Sequence, residues 1–123
     1  LRYCVKERKV KVDGYSFGSM IVDGKVYDKD IIIFPDRIKS NWHRKENHTL
    51  LIEDLSEVIE YKPEILVVGK GAYGVMDIPE STRETLKNKD IKVVGRITDE
   101  SYKVFNEYIE QGKKVVGAFH LTC

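Results

Sequence analysis

A chain of 123 residues, 41% hydrophobic and 33% charged, has the makeup of one globular domain with room for an apolar core, which excludes a disordered or fibrous chain. Its 21 basic residues against 20 acidic ones leave a net charge of +1, so nucleic acid is not the expected partner. Two cysteines, Cys4 and Cys123, make no disulfide framework, and the longest apolar runs (31–34 and 65–68) are too short to span a bilayer. With no other address visible, a cytoplasmic protein without membrane partners is the expectation.

Residues 1–35 read as strands. Val10 and Val12, then Tyr15, Phe17, Met20 and Val22, alternate roughly with polar neighbours, interrupted at Gly14 and Gly18. Asp23-Gly24 is a hairpin signal, because a type I′ turn needs positive φ at both central positions. Strand material follows at 25–27 and 31–34, closed by Pro35. Residues 36–48 read as an irregular loop.

From Thr49 the period changes. Leu51, Leu55, Val58 and Ile59 fall on one helical face, and that helix must stop by Pro63. The continuous apolar run 65–68 predicts a strand buried on both faces. After a glycine loop and a short segment at 75–78, Pro79 opens a helix that runs to about Asn88, and 91–94 is the next buried strand. Thr98 is the expected N-cap of a third helix, which places Tyr102, Phe105 and Ile109 on one face and ends at Gly112. The last strand covers 114–119. Three alternations of helix and strand over 49–120 predict crossover connections and a mostly parallel sheet, hence a single α/β domain over 1–123 with a β-rich layer at its N-terminal end.

Gly69-Lys70-Gly71-Ala72-Tyr73-Gly74 fits G-x-G-x-x-G directly after a buried strand. In a dinucleotide site such glycines let backbone N–H groups approach a pyrophosphate. Here the helix is delayed by 75–79, and no acidic residue follows the next strand, which ends at Gly95-Arg96. A tight turn is the preferred reading. The carboxyl ends of parallel strands still hold ligands in open sheets, so Gly69, Lys70, Gly71, Tyr73 and Asp77 are candidates to line a pocket.

Trp42, His43, Arg44, Lys45 and His48 form the densest cluster of reactive types, with a local charge of +2 over 36–48. An aromatic among basic side chains suits a protein interface anchored by Trp42, or contact with an anion. The ordinary reading is a loop whose tryptophan packs down while its charges face water. His48, His120 and Cys123 are metal-ligating types, but their spacings complete no structural zinc pattern. Ser16 and Ser19 flank Phe17-Gly18 rather than forming a nucleophile elbow. No catalytic residue, metal or cofactor is therefore expected.

Taken together, Tyr15-Ser-Phe-Gly-Ser-Met-Ile-Val22, Ile31-Ile-Ile-Phe-Pro-Asp36, Trp42 with Arg44-Lys45 and His48-Thr-Leu50, Leu66-Val-Val-Gly-Lys-Gly-Ala-Tyr-Gly74 and His120-Leu-Thr-Cys123 resemble the adipogenesis-associated Mth-type domain family. That family is a domain of unknown function whose mitochondrial relatives include an assembly factor of respiratory NADH dehydrogenase. The resemblance implies a three-layer fold in which a β layer packs on a mixed, largely parallel central sheet backed by helices. It also implies a non-enzymatic role with no cofactor. The expected function is thus that of an interaction or assembly-type protein that binds a protein partner through the Trp42 loop. The alternative is a protein, enzyme or not, that binds a small molecule or phosphate-type anion with Trp42, Arg44, Lys45, His48, Gly69, Lys70, Gly71, Tyr73 and His120.

Overall fold

The computed structural model describes residues 9–123. Two sheets and three helices make up an α/β fold. The first sheet has the order β1-β2-β3 and is antiparallel throughout: β1 (Val12–Ser16), β2 (Ser19–Val22) and β3 (Lys25–Tyr27). Asp23 and Gly24 take φ of 49° and 79°, so the β2–β3 turn is of the mirror-image type that the dipeptide predicts. Gly18, at φ 77°, makes a second turn between β1 and β2, and the register shift between Val12 and Gly14 accounts for the broken alternation in β1.

The second sheet has five strands in the order β5-β4-β8-β6-β7. They are β4 (Ile31–Phe34), β5 (Arg37–Lys39), β6 (Ile65–Lys70), β7 (Lys92–Arg96) and β8 (Val115–His120). The three C-terminal strands are parallel to one another, and β4 runs antiparallel to both β8 and β5. β5 lies inside the stretch expected to be irregular. Its pairing with β4 is supplied by a tight turn at Pro35-Asp36, not by any apolar pattern of its own.

Two apolar clusters cover the two faces of this sheet. On one face Ile32, Phe34, Leu66, Val68, Val116 and Ala118 meet Trp42, Leu50, Val58 of α1 (Ser56–Tyr61) and Leu86 of α2 (Glu80–Asn88). On the other face Ile31, Ile33, Val67, Val115 and Phe119 meet Met20 and Val22 of the small sheet, together with Phe105 and Ile109 of α3 (Thr98–Glu110). The three layers are therefore helices α1 and α2, the mixed sheet, and a layer shared by α3 and the small β-sheet. Asn106 of α3 fastens the small sheet by clasping Val12 at both N–H (2.9 Å) and C=O (2.8 Å).

Two helix boundaries differ from the sequence expectation. The helix expected from Thr49 begins instead as a 3-10 turn at Ile52–Leu55, because the Asp54 carboxylate takes the Leu51 N–H at 3.1 Å and tightens the chain there. Thr98 is the first residue inside α3, and Ile97 occupies the N-cap. The Thr98 hydroxyl is turned away from the helix end and into the protein, where it donates to the His120 carbonyl at 2.6 Å and accepts the Gly71 N–H at 2.9 Å. Among the described residues no helix is long and apolar enough to cross a membrane.

Candidate functional site

The polar side chains of interest gather at the carboxyl end of β8. Alternation along β8 places His120 on the same face as Val116 and Ala118, the face that carries the 41–50 loop. Asp30, in the turn before β4, reaches it from a sequence distance of 90 residues. One Asp30 oxygen, Oδ1, accepts the Leu121 N–H at 2.8 Å. The other, Oδ2, accepts from Arg44 Nη1 at 2.8 Å and lies 2.8 Å from His120 Nδ1. Arg44 also donates from Nη2 and Nε to the Asn47 carbonyl, at 2.9 and 3.3 Å, and its guanidinium stacks 4.8 Å from the centre of the Trp42 ring. The side chains of Arg44 and His120 are each 2% exposed and that of Asp30 is 17% exposed.

Hydrogen bonding dictates the protonation logic. His120 Nε2 faces the Cys123 main-chain oxygen at 2.7 Å, so that nitrogen carries a proton and donates. Nδ1 faces a donor, Arg44 Nη2 at 3.0 Å, and an acceptor, Asp30 Oδ2. A proton must lie between Nδ1 and Oδ2, since two lone pairs at 2.8 Å repel, and the Arg44 and Leu121 N–H donors on the Asp30 oxygens favour its anionic form. Burial pushes the Asp30 carboxyl up, but the hydrogen bonds from His120, the Leu121 N–H and Arg44 outweigh it and hold the group below the ordinary carboxylate value. His48 Nε2 donates to the same Cys123 oxygen at 2.7 Å, edge-on to His120 with ring centres 5.7 Å apart.

The segment 121–123 is tied from every side. Tyr15 Oη and the Gly18 N–H both donate to the Leu121 carbonyl at 2.8 Å, and the Ala72 N–H donates to the Thr122 carbonyl at 2.9 Å. Burial, followed by the charges of Asp99, Asp30 and Tyr73, pushes the Tyr15 phenol up, so it stays a donor. What the arrangement does chemically is bind its own chain: each Asp30, Arg44 and His120 contact named above goes to the protein itself. Among the described residues no three His, Cys, Asp or Glu side chains are placed to hold a metal ion.

Several candidates take different roles from those expected. Trp42, the anchor in the interface reading, is packed down as the ordinary reading of its loop has it: it is 4% exposed and belongs to the core, and its Nε1 donates to the Asp54 carbonyl at 3.1 Å. That corrects the interface reading of its loop, since a ring buried in the same core cluster as Leu50 and Leu55 is unavailable to a partner. Lys45 is exposed and pairs at 3.7 Å with Glu53. In the glycine loop the N–H groups at Gly71, Ala72 and Gly74 bond to Thr98 Oγ1, the Thr122 carbonyl and the Gly71 carbonyl, the pattern of a turn tied to its neighbours. Gly69 is there because a Cβ would lie 2.7 Å from Phe119 and 2.9 Å from both Thr98 and Ser101. Gly71 is there because its φ is 96° and a Cβ would lie 2.7 Å from the Thr122 oxygen. Lys70 shares a face with His120 and is half-buried, Asp77 joins the chain to His48 through its N–H (2.8 Å), and Tyr73 stands out 74% exposed.

Sequence reasoning missed Asp30, Tyr15 and Thr98, whose roles exist only through partners far along the chain. It also passed over Phe17, which is 58% exposed with its ring centre 6.4 Å from that of Tyr73. An aromatic directly before a turn glycine is the signal that was available for it.

Residues 12–120 match the model of a protein family described as protein of unknown function (DUF498/DUF598). Among solved structures, a conserved hypothetical protein, PH1505, of Pyrococcus horikoshii is 27% identical, with a TM-score of 0.78 over 92% of this chain and 99% of that one. A Bartonella henselae protein described as an outer membrane protein is 22% identical, with a TM-score of 0.79 over 94% and 97%. A Bordetella pertussis protein described as a Mth938-like domain is 15% identical and has a TM-score of 0.76 over 98% and 92%. The last two likenesses concern the fold alone.

Proposed function

This chain belongs to the DUF498/DUF598 family, the Mth938-type domain of unknown function, and we propose that it acts as a non-enzymatic interaction protein that docks a protein partner on Phe17 and Tyr73. One observation carries this reading: two aromatic rings from separate turns, largely exposed, stand side by side on an anchored frame. Val75, 50% exposed, follows Tyr73 in the same loop. Large aromatic side chains left in water at the end of a sheet are what interfaces bury first, since each removes much apolar area while losing little rotamer freedom. The buried polar network beneath supports the same reading. It fixes the segment to which both turns are bonded, and a preformed surface loses less entropy on binding.

The test is a double variant, Phe17→Ser with Tyr73→Ser, whose side chains the fold does not need. Tagged native and variant chains are used to capture partners from a lysate of the source organism, and each captured protein is then titrated as a purified binary pair. The expected result is a partner whose affinity falls at least tenfold in the variant. Equal affinity for every captured partner would overturn the proposal.

A further inference from the structure

The mixed sheet has β5 and β7 at its edges, and the small sheet has β1 and β3. Three of these edges are short or already engaged. β3 and β5 have three residues each, and Asn106 holds the N–H and C=O of Val12 in β1. β7, with five residues, is the long edge left open. Its Lys92 N–H donates to the Glu64 carbonyl at 3.0 Å, so Lys92, Val94 and Arg96 turn their backbone groups toward β6. Val93 and Gly95 turn theirs outward, and among the described residues no protein group bonds to these two N–H and two C=O groups.

Both faces beside this edge are unfinished. β6 is buried at every position from Ile65 to Gly69, because strands flank it on both sides, whereas Val93, Val94 and Gly95 are only half-buried. Val93 borders the cluster that holds Leu66 and Leu86, and Val94 the opposite cluster with Val67 and Phe105. One added strand would complete the hydrogen bonding of the edge and extend both clusters at once. The side chains say which strand fits. Lys92, Val94 and Arg96 share one face by alternation, with the two charges exposed at either end. A second copy of this chain is a poor occupant. The antiparallel register that uses Val93 and Gly95 of both copies sets Lys92 opposite Arg96 twice, and like charges on facing positions repel.

We propose that β7 takes up an extended peptide segment as a sixth strand of the mixed sheet, with acidic side chains opposite Lys92 and Arg96 and an apolar one opposite Val94. Main-chain bonds at Val93 and Gly95 hold the segment, and opposite charges on facing positions select it. The order acid, any, apolar, any, acid reads alike from either end, so it serves a parallel or an antiparallel segment. The proposal uses neither Phe17 nor Tyr73, and it stands or falls separately from the surface those rings form.

The probe is the heptapeptide Thr-Glu-Thr-Val-Thr-Glu-Thr, blocked at both ends and titrated into the full chain by amide NMR, with both Glu replaced by Lys as the control. The expected result is saturable binding, at least tenfold weaker for the Lys peptide. At saturation amide exchange at Val93 and Gly95 should slow at least tenfold, while Lys92 and Val94, already bonded to β6, change little. Lys92→Glu combined with Arg96→Glu, both at exposed positions, should invert the preference between the two peptides. Val93→Pro, which removes one outward N–H and no bond to β6, should weaken the Glu peptide as well. No saturable binding, equal affinity for the two peptides, or binding that leaves exchange at Val93 and Gly95 unchanged would overturn the proposal. Protection of those amides that rises with protein concentration alone would also overturn it, by making a second copy the occupant.

Discussion

Asp30→Asn is the sharpest perturbation of the buried network, because it keeps the shape of the side chain and removes only its charge. The Leu121 N–H keeps an acceptor if the amide oxygen turns toward it, but Arg44, with a side chain 2% exposed, loses the one carboxylate that it pairs with among the described residues. Removing one partner of a buried ion pair costs about 3–5 kcal/mol, since the other charge is left without compensation. The lower end, about 3 kcal/mol, applies here: Asp30 is 17% exposed, and Arg44 keeps the Asn47 carbonyl and the Trp42 ring. The pH dependence has a definite sign. A carboxyl held below its ordinary value contributes stability that is complete above the unfolded pKa, about 4, and is lost as pH falls through the native pKa. Urea unfolding should therefore show a constant gap between native and variant chains at neutral pH that narrows below about pH 4. A gap under about 1 kcal/mol at neutral pH, or one that ignores acid, would refute the assignment of Asp30 as the anionic centre of this network.

Two further substitutions separate scaffold from surface. Trp42→Ala should cost about 3–5 kcal/mol in urea unfolding, as a large buried ring does, while leaving the affinity of a Phe17–Tyr73 partner unchanged in the folded fraction; a cost under about 1 kcal/mol would mean the ring is not a core element. Gly71→Ala should cost more than about 2 kcal/mol, since φ 96° and the 2.7 Å approach to the Thr122 oxygen both oppose a Cβ, and amide exchange at Ala72 should accelerate as its bond to Thr122 is lost.

Much of the fold was legible because it is written in local chemistry. The run 65–68 is apolar at every position since both faces of β6 are covered, and Asp23-Gly24 specifies its own turn. β5 was not legible, for Arg37-Ile38-Lys39 carries one apolar residue and becomes a strand only because β4 lies beside it. The site divides the same way. His120, His48 and Arg44 stood out by side-chain type, but type alone does not reveal that their donors are already taken. That depends on Asp30, an unremarkable aspartate in Asp28-Lys29-Asp30 until the sheet order carries it next to β8.

The network and the aromatic surface are mechanically joined through one short segment. Phe17 belongs to a turn whose Gly18 N–H is fixed to the Leu121 carbonyl, and Tyr73 to a loop whose Ala72 N–H is fixed to the Thr122 carbonyl. Leu121 in turn is placed by Asp30, and His120 by both Asp30 and Arg44. The spacing of two exposed rings is thus set by a buried carboxylate that touches neither. Neutralising that carboxylate weakens its hold on Arg44 and His120 and so loosens the segment to which both turns are bonded, which a partner must restrain anew when it binds. Asp30→Asn should accordingly weaken a Phe17–Tyr73 partner even in chains that remain folded. The loss should lie mainly in the association step, where preorganisation acts, and much less in dissociation, where the contacts themselves are unchanged.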